Sequence, residues 1–136
     1  GDAKAAGVWL DKAVGWCGKG CTAEGAIDNA RAALALREGD TSRAAHWAER
    51  AVASNKGSSP LEYANALRHL AEARLMAGEH GEALRLAAEV LALDKTQGLP
   101  EKIRLDLLLA ARVHAGMGDT EEAARFRERA SRIRTR

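Results

Sequence analysis

The sequence predicts an all-α domain built as a stack of antiparallel helix pairs, and three observations predict it. The first is composition. Of 136 residues, 46% are hydrophobic, mostly alanine and leucine, only 4% are aromatic, and there are two prolines. Alanine, leucine, arginine and glutamate are strong helix formers, and β-branched residues are few. The second is a recurring Gly-acid pair: Gly1-Asp2, Gly39-Asp40, Gly78-Glu79 and Gly118-Asp119, at steps of 38, 39 and 40 residues. The third is a shared pattern downstream of each glycine. Offset +5 holds Ala6, Ala44, Ala83 and Ala123; offset +8 holds Trp9, Trp47, Leu86 and Phe126; offset +12 holds Ala13, Ala51, Val90 and Ala130. Those offsets draw one stripe on a helix, with small residues where a neighbour packs closely.

Each helix has its own justification. The first, 3–16, carries Ala6, Trp9 and Ala13 and reads as the second helix of a pair whose first member is missing. The second, 23–38, is the least regular, because Asp28 and Arg31 occupy places where apolar residues belong. The third, 41–54, repeats the stripe as Ala44, Trp47 and Ala51, which predicts Trp9 and Trp47 to be core residues. The fourth, 60–77, opens on Pro60 and the sixth, 100–116, on Pro100, each 18 residues before its glycine. Proline suits the first helical turn, where a missing N–H costs nothing. Their packing faces are Leu67, Leu70 and Ala71, and then Leu107, Ala110 and Ala111. The fifth, 80–93, is apolar nearly all round, as a helix between neighbours should be. The seventh, 119–134, starts on a D-x-x-E capping box, Asp119 with Glu122, and has one apolar stripe (Ala123, Phe126, Ala130, Ile133) amid arginines. SNKGSSP and DKTQGLP read as the loops between pairs. A helical pair cannot bury its apolar face alone, so repetition implies stacking.

The segment LRHLAEARLMAGEHGEALRLAAEVLALD, 67–94, carries this pattern best, and it resembles the tetratricopeptide repeat. The likeness covers nearly the whole chain. It departs in period, since the usual repeat has about 34 residues, and in placing the large side chain at +8 instead of +9. Long-period relatives, such as the kinesin light chain repeats and arrays in bacterial signalling proteins, tolerate both departures. The resemblance implies a right-handed superhelical α-solenoid of about seven helices. It divides one domain, 1–136, into a half repeat at 1–21 and repeats at 22–59, 60–99 and 100–136, the last ending in a capping helix. The C-terminus then reads as a natural end, and the N-terminus as a cut or processed start.

The resemblance also implies a concave groove lined by the first helices of successive repeats. Its places here are Asn29, Ala33 and Arg37, then Asn65, Arg68, His69 and Glu72, then Leu105, Leu108, Leu109 and Arg112. The expected function is recognition of a partner's peptide or helix in that groove, polar at its centre and apolar toward the last repeat. The alternatives are a self-associating scaffold segment, which makes a homo-oligomer, and a regulatory arm of a larger bacterial signalling protein. The carboxylate clamp of some relatives is not matched, because Asn29, Ala33, His69, Leu105 and Leu109 hold its places. A chaperone-tail binder is therefore disfavoured.

Nothing predicts catalysis. The histidines are isolated, and no H-E-x-x-H, phosphate-binding glycine loop or G-x-S-x-G elbow occurs. No cofactor or metal is expected. A net charge of +2 gives no global basic field, and the six arginines of RFRERASRIRTR read as a solvated capping face, so nucleic acid is not an expected partner. No run of about 18 apolar residues is present to span a membrane. Cys17 and Cys21 either close a small disulfide loop, in an oxidising compartment, or remain free thiols. The compartment is cytoplasmic in the second case and extracytoplasmic in the first.

Overall fold

Among the described residues seven helices form: α1 (Asp2–Cys17), α2 (Glu24–Glu38), α3 (Thr41–Asn55), α4 (Pro60–Met76), α5 (His80–Gln97), α6 (Pro100–Gly116) and α7 (Thr120–Ser131). The computed structural model describes residues 2–17 and 23–134, apart from the side chains of Trp16 and Cys17, and no strand occurs among them. The Cys17–Cys21 pairing therefore lies outside the described residues.

The Gly-acid pair divides one task between two residues. Gly39, Gly78 and Gly118 adopt φ of 72°, 77° and 81°, the left-handed region that a Cβ disfavours. In each turn the glycine N–H and the next N–H donate back to carbonyls of the finished helix. Gly39 reaches Leu36 O at 3.1 Å and Asp40 reaches Ala35 O at 3.0 Å. The acid then opens the next helix: Asp40 Oδ1 accepts from Arg43 N at 3.1 Å and Asp119 Oδ1 from Glu122 N at 3.3 Å. Only this half of the expected capping box forms, since the Asp119 N–H goes to His114 O and the Glu122 carboxylate to Arg125. Glu79 makes no such cap and instead lies 3.5 Å from Arg74.

Two boundaries differ from expectation by more than one residue. Helix α5 continues to Gln97, so most of DKTQGLP is helical, and Gly98 ends it at φ 66°. The apolar period stops at Leu93, but Asp94 is fully buried with an arginine partner, which carries the helix on. Helix α7 stops at Ser131, short of the expected 134.

Each helix packs on the next, and α2 also touches α4, and α4 touches α6. Among the described residues α1, α3, α5 and α7 make no such contacts with one another. An inner row in contact and an outer row spread apart is a curved α-solenoid with α2, α4 and α6 inside. Its core joins Leu67, Leu70, Leu86, Val90, Leu109 and Val113 to wholly buried alanines such as Ala32, Ala48, Ala64 and Ala83. The missing side-chain bulk lets helices lie close together.

Two polar residues and one tryptophan behave unlike the apolar pattern. Asp28 is buried and accepts from Ser54 Oγ at 3.0 Å. The Arg31 guanidinium lies 4.4 Å from the Trp47 ring centre and donates to Asp11 at 2.6 Å. Trp47 packs against the core as expected, but Trp9 is 62% exposed. That corrects the expectation that both fill the stack. Helix α3 is covered by α2 and α4, whereas α1 touches α2 and no other described helix.

Candidate partner-binding face

The inner row places the predicted groove residues at three depths. At the floor, Arg68 is only 6% exposed and ties three helices together. Its Nε donates to Asp106 on α6 at 2.7 Å, one terminal nitrogen to Asp94 on α5 at 2.5 Å, and the other to Asn65 of its own helix at 2.8 Å. Both aspartates are fully buried. Burial, and then the neighbouring Asp94 carboxylate, push Asp106 from 3.8 up to about 7 against the pull of Arg68. Asp94 Oδ1 and Asp106 Oδ2 both lack a hydrogen-bond donor, and a proton held by the pair answers that need. With it the cluster is one cation, one anion and one neutral acid.

The second depth joins α2 to α4. Asn29, 5% exposed, donates to the Glu62 carbonyl at 2.8 Å and to its carboxylate at 2.7 Å. Its Oδ1 lies 3.0 Å from His69 Nδ1, which assigns the ring proton to Nδ1. Burial, then Arg68 and Lys102, push His69 down to about 4, so the imidazole is neutral at pH 7.

The third depth is accessible. Glu72, half-buried on α4, has its carboxyl raised by burial, against the opposing pull of Arg112 and Arg68. Arg112 is exposed on α6, and Arg37 at the end of α2. Leu105 is 45% exposed and Leu108 half-buried, while Leu109 is 3% exposed and belongs to the core.

The groove set is thus corrected at three positions: Arg68, Asn29 and Leu109 are interior residues, not groove-lining ones. Contact between inner helices closes over the residues between them. Arg37, Asn65, His69, Glu72, Leu105, Leu108 and Arg112 keep some exposure, and half-buried Lys102 joins them unpredicted. Asp94 and Asp106 were also missed. A signal existed, because Asp106 interrupts the apolar run IRLDLLLA and stands 38 residues, about one repeat, beyond Arg68.

The remaining histidines stay apart: His114 stacks on Phe126 at 5.3 Å, and His46 meets Trp47 edge-on at 4.9 Å. Among the described residues no group of three metal-ligating side chains forms, and no helix is long and apolar enough to cross a membrane. On α7, Arg125 pairs with Glu122 and Arg129 lies over Phe126, and Arg132, just past the helix end, pairs with Glu128.

Fold and face together define a class, the helical repeat array with an open inner row. No family model matches the chain, and no curated protein does. Among solved structures it is similar to the crystal structure of the TPR domain of Arabidopsis FLU, with a TM-score of 0.73 and 22% identity, covering 79% of this chain and 92% of that one. The fold is that of a tetratricopeptide-repeat domain.

Proposed function

We propose that this chain is a protein-binding module that takes a peptide or helix of a partner along the inner row of α2, α4 and α6. One observation carries the reading. Beside a floor held rigid by Arg68, Asp94 and Asp106, the row leaves Leu105 and Leu108 open next to the charges of Glu72 and Arg112. Apolar anchors rimmed by charges of both signs suit side-chain recognition of a protein segment. The resemblance of the fold to a TPR domain supports the same reading. No bond is made or broken in such a function.

Leu105→Glu combined with Arg112→Glu tests it, because both residues are exposed and neither belongs to the core. Immobilised double variant should lose the proteins that the wild-type chain captures, with helical circular dichroism and melting unchanged. Recovery of the same proteins by both would overturn the assignment.

A further inference from the structure

At the middle of the inner row, polar side chains of α2 and α4 bond to one another and leave two neighbouring atoms unused. The Asn29 amide nitrogen gives its hydrogens to Glu62, one to the carbonyl at 2.8 Å and one to the carboxylate at 2.7 Å. That fixes the orientation of the amide, and Asn29 Oδ1 faces His69 Nδ1 at 3.0 Å. Nδ1 therefore carries the ring proton and Nε2 keeps a bare lone pair. One turn earlier on α4, Asn65 Oδ1 accepts from Arg68 at 2.8 Å, which leaves Asn65 Nδ2 with both of its hydrogens. Among the described residues neither His69 Nε2 nor Asn65 Nδ2 has a partner, and neither atom is sealed from solvent, although both residues are half-buried.

The two atoms are an unlike pair on one face. Residues four apart on a helix have Cβ atoms about 5–6 Å from each other, so the two tips can converge on one atom. What they require of that atom is specific: a proton for Nε2 and a lone pair for the Nδ2 hydrogens. A hydroxyl oxygen supplies both. A carboxylate at pH 7 has no proton to give, and an ammonium has no lone pair to offer. The imidazole does not make good the missing proton itself, because burial, and then Arg68 and Lys102, hold it down at about 4. The charge of Lys102 also opposes a second cation in the same place.

We infer that Asn65 and His69 form a hydroxyl-reading subsite, which takes the side chain of a serine or threonine in the partner segment. The hydroxyl donates to His69 Nε2 and accepts from Asn65 Nδ2. Asn29 is a positioning residue, acting through the tautomer it imposes on His69. This inference rests on the reading of the inner row as a partner-binding face, and adds what the centre of that face selects.

The probe is a phage library of short random peptides, selected on the immobilised 136-residue chain. Selected peptides are synthesised with each serine or threonine also changed to alanine and to aspartate, and titrated by fluorescence anisotropy. One hydroxyl position should stand out, its change to alanine or aspartate weakening binding to the wild-type chain about tenfold. Against His69→Phe or Asn65→Asp the alanine change should cost less than about twofold. Long-range proton–nitrogen NMR should show His69 protonated at Nδ1 at pH 7, and Asn29→Ala should lose that single tautomer together with the preference for the hydroxyl. Peptides that need Leu105 and Arg112 but contain no such position would overturn the subsite and leave the proposed function standing. Equal alanine costs in the wild type and both variants would also overturn it, as would a ring protonated at Nε2. An aspartate peptide that binds more tightly than its serine parent would do the same, since Lys102 would then be reading an anion. If selection returns no peptide, or only peptides indifferent to Leu105→Glu with Arg112→Glu, to His69→Phe and to Asn65→Asp, the proposed function and the subsite fall together.

Discussion

Helices α1 and α3 carry alanine, tryptophan, a cation and alanine at the same repeat positions, yet they live in different surroundings. On α3 both alanines are wholly buried and the tryptophan packs on the core; on α1 Ala6 is exposed and Trp9 projects. Helical periodicity says which side chains share a face. It does not say whether another helix lies over that face. In a solenoid each helix is buried by its neighbours, so identical stripes have unequal weight.

The strongest way to sharpen this comparison lies where three helices meet. Arg68 stands at the repeat position of Asn29, one repeat step along, but holds two buried carboxylates on α5 and α6. Arg68→Ala should destabilise by about 3–5 kcal/mol, because it leaves buried anionic charge without its cation. Urea unfolding followed by circular dichroism reads this, and a loss under about 1 kcal/mol would remove the cluster as the keystone of the floor.

A matched pair of substitutions tests α1 against α3 directly. Ala44→Leu should cost about 1–3 kcal/mol by overpacking a filled site. Ala6→Leu, at the same repeat position, should stay within about 0.5 kcal/mol. Equal effects on the urea midpoint would mean that α1 is covered as fully as α3.

The smallest effect is a pH dependence hidden by cancellation. Asp106 is raised from 3.8 to about 7, so the folded chain holds a proton there that the unfolded chain releases; its contribution is full below pH 3.8 and fades as pH rises through 7. His69 is lowered from 6.5 to about 4, so its contribution is full above pH 6.5 and is lost as pH falls toward 4. The two opposite slopes share one window. Wild-type stability should change little between about pH 5 and 7, as the two groups largely offset each other. On acidification across that window Asp106→Asn should lose stability and His69→Gln should gain it, each on the order of 1–2 kcal/mol. Melting temperatures at several pH values check both directions.

Much of the array was legible in the amino acids alone. The seven helices, the left-handed glycines between paired helices, the proline starts of α4 and α6, and the stripe positions all follow from local rules. Backbone conformation and helical period act over a few residues, so one chain displays them. Depth is a property of neighbours. Arg68, Asn29 and Leu109 do lie on the helix face that periodicity assigns them, but contact of α2 with α4 and of α4 with α6 decided that this face is interior there. The same holds for Asp94 and Asp106, which took their meaning from an arginine 26 and 38 residues away. Sequence by itself determined the helices, their turns and the side chains each face carries. Tertiary structure alone decided which faces are covered, because burial and charge pairing depend on which helices meet in space, and that contact made one tryptophan stripe core and left its twin open.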